Sequence, residues 1–171
     1  ALRAAGDVIE LTVPPSKTCW RYVTENTQRT GAVGLPPLNK PVVLVGRGRS
    51  CEQFEKRYPA SDYIRVGIQP GSIPSGQDDR SGVLMDAASH FDAIVVFDGN
   101  YPHRCGDMFL SKYNGPILAA DTLTENFPNR LQVIPALKFC HEKHPGLSLL
   151  FAMYIMEGLG VKTLILCGTD M

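Results

Sequence analysis

The sequence predicts an α/β fold, a parallel sheet with helices on both faces. Three observations predict it. Short runs of β-branched and aliphatic residues recur at Val42–Val45, residues 93–97 and Thr163–Cys167. These runs are continuous rather than alternating, which marks strands buried on both faces, as in parallel sheets. Segments of helical character lie between them, and strand–helix alternation builds parallel sheets through right-handed crossovers.

In chain order, residues 1–40 read as an N-terminal arm or peripheral element. Residues 9–13 suit a short strand that Pro14 and Pro15 end, and residues 19–25 suit one or two helical turns. Gly31, Gly34, Pro36 and Pro37 then make a linker-like stretch. The α/β domain spans 41–171. Pro41 and Gly46 bracket its first strand, and Ser50 is placed to cap a helix over residues 51–57. Residues 63–66 read as the second strand. Residues 67–82 hold four glycines and two prolines, the composition of a long loop. A short helix over 83–89 leads to the third strand at 93–97, which ends in the turn formers Asp98-Gly99-Asn100. Residues 108–110, 117–119 and 131–134 are short strand candidates. Residues 147–158 form an apolar helix stopped by Gly158 or Gly160, and the strand Thr163–Cys167 follows. A sheet of this kind is Rossmann-like, and its ligands bind beyond the carboxyl ends of the strands. Three candidate loops fall there: 46–50, 98–100 and 168–170.

Composition excludes several classes. Seventeen basic residues balance seventeen acidic ones, which argues against broad nucleic-acid binding, since that needs a basic surface, and leaves room for a local basic patch. The five cysteines (Cys19, Cys51, Cys105, Cys140, Cys167) are odd in number and form no C-x-x-C pair. They give neither a disulfide framework nor a zinc site, and a reducing, cytoplasmic compartment is expected. The longest apolar run, 147–155, is shorter than the roughly 20 residues a bilayer span needs, so no membrane partner is expected. The chain opens on Ala1 and ends at Met171, which suggests a processed product or a fragment.

The strand-end loops carry the candidate chemistry. In Gly46-Arg47-Gly48-Arg49-Ser50, glycines permit close backbone approach to a phosphate. A following helix N-terminus would add N–H groups and partial positive charge. Arg47 and Arg49 add cations and Ser50 a hydroxyl. The run is neither G-x-G-x-x-G nor a Walker A loop, and a tight turn with solvated arginines is the alternative. Asp98 and Asn100 suit ribose, a metal or a reacting hydroxyl, or else only a turn. Tyr101 and His103 lie beside them, and His103 is the first histidine to consider for acid–base work. Ser148 opens the apolar helix, where it either meets a ligand or caps the helix. His141 and His144 stand at i, i+3 without an evident third metal ligand. Cys19-Trp20 has the form of a thiol-protease nucleophile at a helix start, but no paired histidine is assignable.

Two segments together resemble sialyltransferases. Val42 to Ser50, V-V-L-V-G-R-G-R-S, is similar to the opening strand and Gly-x-Gly-x-Ser loop of the bacterial lipooligosaccharide sialyltransferases, and to the first sialylmotif of the animal enzymes. Pro145 to Asp170 resembles the Ser-Gly helix and the L-G-x-K-x-I-x-L-x-G-x-D strand of that group. Between them, Phe91 to Val96 resembles the family's Phe-Asp strand, which leads to an asparagine contacting the donor. Glycosyltransferase-like and pterin-pyrophosphokinase-like domains share the first two features.

The resemblance implies a Rossmann-like domain that binds CMP-sialic acid or another nucleotide-sugar, with no cofactor or metal. It implies that Gly46, Arg47, Gly48 and Ser50 surround the donor phosphate or ribose, that Asn100 is the counterpart of the family asparagine, and that Ser148 matches the serine of the Ser-Gly pair. Arg47 replaces a usual asparagine, and Leu149 stands where the glycine should be. The family's catalytic histidine lies downstream of the last strand, beyond Met171, so the catalytic residue is not assigned. The sequence thus leads to a nucleotide-sugar-binding, glycosyltransferase-like domain. The alternative is a non-catalytic structural or assembly domain that keeps the fold and self-associates through the N-terminal arm. A thiol protease at Cys19 is the third reading.

Overall fold

The computed structural model describes residues 35, 37–70, 87–99, 101, 107–120, 133–136 and 147–169, together with the strand at 7–10; at 7–10, 107, 108 and 135 only the backbone is described. Its strands are β1 (Asp7–Glu10), β2 (Val42–Val45), β3 (Ile64–Ile68), β4 (Ala93–Val96), β5 (Ile117–Ala119), β6 (Val133–Pro135) and β7 (Thr163–Cys167). They form one sheet in the order β1-β7-β2-β3-β4-β5-β6. The six strands from β7 to β6 are parallel, and β1 pairs antiparallel with β7 at the edge. From β2 the chain steps outward one strand at a time to β6. It then returns to lay β7 on the other side of β2. The sheet therefore changes direction at the β2–β7 pair, where Val45 lies beside Cys167.

The continuous apolar runs behave as their composition requires. Every residue of β2 and β4 is buried. Such strands have no solvated face, so alternation would have placed polar groups in the core. An aromatic column packs against them. Phe54 stacks on Phe91 at 5.0 Å, Phe91 meets Phe109 edge-on at 5.9 Å, and Phe109 stacks on Tyr113 at 5.4 Å. Arg65 is the one buried charged side chain among the described residues. Its Nε donates to Asp92 Oδ2 at 3.3 Å, and its backbone N–H donates to the same oxygen at 2.8 Å. The second residue of β3 and the residue before β4 are thereby tied near the amino ends of these strands, where Asp92 serves structure.

The described helices are α1 (Phe54–Arg57), α2 (Asp107–Lys112) and α3 (Ser148–Gly158), with 3-10 turns at Arg49–Cys51 and Ala88–His90. Several expectations change. The strand expected at 9–13 lies at Asp7–Glu10, within the segment read as an arm. The helix expected over 51–57 is a 3-10 turn followed by one turn of α-helix, with Gln53 between them in the left-handed region at φ 55°. Residues 108–110 belong to α2 and not to a strand. Three apolar residues carry no period, and the buried pair Phe109 and Tyr113 marks helical spacing. Residues 67 and 68 finish β3. Of the loop expected beyond them, residues 69 and 70 are described, while the rest of it and most of the helix expected at 83–89 lie outside the described residues.

The apolar helix forms as its sequence predicts. Phe151, Ala152, Ile155 and Met156 are buried. It ends at Gly160, whose φ of +83° suits a residue without Cβ. The N–H of Val161 donates to Met156 O and that of Gly160 to Glu157 O. These two bonds satisfy carbonyls the helix leaves unpaired, in the Schellman arrangement.

Candidate functional site at the sheet switch point

Parallel alignment brings the carboxyl ends of β7, β2, β3 and β4 to one edge. Four strand-end segments therefore lie side by side, about 5 Å apart per strand. Two seams of hydrogen bonds organise them.

The first seam joins the loop after β2 to the loop after β7. Gly46 N–H donates to Cys167 O at 2.7 Å, and Gly48 N–H donates to Gly168 O at 2.7 Å. In return, Gly168 N–H donates to Ser50 Oγ at 2.7 Å. The Cys167 thiol donates to Ser50 O at 3.1 Å and accepts from Arg57 Nη2 at 3.3 Å. Gly168 sits at φ +68°. A Cβ on Gly46 would collide with the Gly168 carbonyl, and one on Gly168 with the Gly46 carbonyl. The two glycines are thus explained by mutual approach of their backbones.

This alters the chemistry expected of the 46–50 loop. The Gly46 and Gly48 amides point into the protein and are committed to β7. Ser50 does not cap a helix; its hydroxyl oxygen accepts from Gly168. The element that follows is a 3-10 turn, so the helix N-terminus expected behind the loop is missing. Arg47 and Arg49 are exposed at the rim and supply the positive charge of this end.

The second seam joins β3, β4 and α3 through Gln69, a residue that sequence reasoning missed. Gln69 follows β3 in the left-handed region at φ 42°. Its Oε1 accepts from Phe97 N–H at 3.1 Å, Asp98 N–H at 3.1 Å and the Ser148 hydroxyl at 2.8 Å. Asp98 and Ser148, both expected at the site, are therefore drawn together by a third residue. Ser148 is the first residue of α3 and not its cap; the cap is Leu147, which makes no side-chain bond. Tyr101, which lies beside Asp98 and Asn100 in sequence, is buried, and its hydroxyl donates to Pro70 O. Asn100, His103, His141, His144, Cys19 and Asp170 lie outside the described residues. The sequence signal for Gln69 was weak. A non-glycine residue before a proline at a strand end marks a turn, and nothing local marks its three distant donors.

Among the described residues, no three or more His, Cys, Asp or Glu side chains come together as a metal site would need. No described helix is long and apolar enough to cross a membrane. No family model matches the chain, and no curated protein or solved structure matches it. The geometry defines a class: an α/β protein whose strand-end loops converge where its parallel sheet changes direction.

Proposed function

We propose that the chain is a Rossmann-like, nucleotide-sugar-binding domain of glycosyltransferase type, with its ligand at the carboxyl edge over β7, β2, β3 and β4. The observation that supports this reading is that cationic and acceptor groups share the carboxyl edge of neighbouring strands. Arg47 and Arg49 line one end, and Asp98 and Ser148 line the other. Open α/β sheets bind ligands beyond the carboxyl ends of their strands, where these segments lie. A nucleotide suits the charge pattern, with its phosphate toward the arginines and its sugar toward Asp98. In an active enzyme, an acceptor hydroxyl would give its proton to a general base, bond to the anomeric carbon of the sugar and break that carbon's bond to the phosphate, releasing the nucleotide; no residue is assigned as that base. The resemblance of 42–50, 91–96 and 145–170 to sialyltransferases supports the same class.

The test is calorimetric titration of the chain with CMP, UDP and GDP. One of the three is expected to bind with micromolar affinity. Arg47→Ala with Arg49→Ala is expected to weaken it by about tenfold or more, since a charge-assisted contact contributes more than a neutral one. No heat with any of the three overturns the reading.

One observation favours a second reading, an assembly domain. Leu150 and Tyr154 are exposed at 39% and 36%, and their i, i+4 spacing puts them on one side of α3, with Leu147, exposed at 63%, at its start. Light scattering over a concentration series decides this reading. A monomer at every concentration removes it.

A further inference from the structure

Gln69 fixes the direction of three hydrogen bonds. Its amide atom lies 3.1 Å from the backbone nitrogens of Phe97 and Asp98 and 2.8 Å from Ser148 Oγ. Backbone N–H groups only donate, so the atom they meet is the amide oxygen. An amide oxygen only accepts. The Ser148 hydroxyl is therefore the donor, and it has one proton. That proton is committed to Gln69, and what the partly exposed Oγ retains is lone pairs.

We infer that Ser148 meets a ligand as a hydrogen-bond acceptor, so its end of the crevice takes a hydroxyl or amino group and disfavours a phosphoryl oxygen, with Gln69 as the positioning residue that sets this polarity. A phosphoryl oxygen there would face lone pairs. To donate to it, Ser148 would have to leave Gln69. Asp98, whose backbone the same oxygen anchors, is also an acceptor in its ionised form. The cationic loop follows β2 and Gln69 follows the adjacent β3. The two ends are thus separated by one to two strand spacings, on the order of 5–10 Å. That is comparable to the separation of phosphate from the 2′ and 3′ hydroxyls in a nucleoside monophosphate. The assignment of the ribose to this end rests on the nucleotide reading above; the polarity of Ser148 does not.

Two measurements on the full chain test it. The first is a urea-unfolding cycle over the parent, Ser148→Ala, Gln69→Leu and the double variant. Ser148→Ala is expected to lower the unfolding midpoint in the parent and to have no further effect in Gln69→Leu. It keeps its effect in Gln69→Glu, which retains an acceptor. Additive losses overturn the inference. The second is calorimetry with CMP, 2′,3′-dideoxy-CMP and inorganic pyrophosphate. Ser148→Ala is expected to weaken CMP by about tenfold and to leave the other two probes unchanged. An equal loss for pyrophosphate makes Ser148 a phosphate donor and overturns it. If the parent binds none of CMP, UDP, GDP and pyrophosphate, the nucleotide reading fails. The cycle then decides alone: coupling upholds the acceptor polarity and additivity ends it.

Discussion

The backbone N–H of Gly168 donates to the hydroxyl oxygen of Ser50 at 2.7 Å, across 118 residues of sequence. This bond closes the seam between the loops after β2 and β7, and it is partly buried. Ser50→Ala leaves the Gly168 N–H without that acceptor. The expected cost is about 1–2 kcal/mol, or roughly 2–8 °C of melting temperature for a chain of this size. Thermal unfolding followed by circular dichroism checks it. An unchanged midpoint would mean that water replaces the hydroxyl at no cost.

Gly168 faces a harder constraint than Ser50. At φ +68° it occupies a region that residues with Cβ rarely adopt, and its Cβ would strike the Gly46 carbonyl and approach Cys51 Cβ to 2.7 Å. Strain and overpacking then add. Gly168→Ala is expected to cost about 3 kcal/mol or more, and Gly46→Ala a comparable amount by collision alone. Both should destabilise more than Ser50→Ala in parallel urea titrations. The reverse order would show that the loops part easily.

The sheet was legible in the sequence and the seams were not, for a physical reason. Val42–Val45 and Thr163–Cys167 announce buried parallel strands by composition alone, since a strand without a solvated face needs no polar alternation. Residues 108–110 were read as a strand and lie in α2, because a run of three carries no period. Ser50 was expected to cap the helix beside it, but its partner lies on the far side of the chain. Gln69 gathers donors 28, 29 and 79 residues away. Local pattern marks the long buried strands. Which polar groups meet at strand ends depends on strand order, and one sequence does not display strand order.

Tyr113 gives the fold a pH dependence at the alkaline end. Burial is the main cause that raises its hydroxyl well above the ordinary tyrosine value of 10.0, and nearby Asp92 adds to the shift. The hydroxyl donates to Pro116 O at 2.8 Å. In the unfolded chain the same group ionises near pH 10. Its contribution is therefore complete below about pH 10 and declines as pH rises further, because only the unfolded state releases the proton. Melting temperatures between pH 9 and 11 should fall more steeply for the parent than for Tyr113→Phe, although the variant starts about 1 kcal/mol lower for its lost hydrogen bond. Parallel curves would remove Tyr113 as the source.

Phe91 is where core packing supports the site. Its ring lies between Phe54 and Phe109 and against the backbone of Gly67, where a Cβ would come within 3.1 Å of it. Gly67 stands two residues before Gln69, so the ring backs the end of β3 that presents the Gln69 amide. Phe91→Ala opens a cavity in the aromatic column and is expected to cost about 3–5 kcal/mol. Phe91→Leu fills most of that space and should cost less, but it loses the ring–ring contacts, about 0.5–1.5 kcal/mol each. Should the leucine variant lose ligand affinity while staying folded, the column positions Gln69 as well as stabilising the sheet. Retained affinity would mean that the hydrogen bonds to Phe97, Asp98 and Ser148 hold the amide without help from the core.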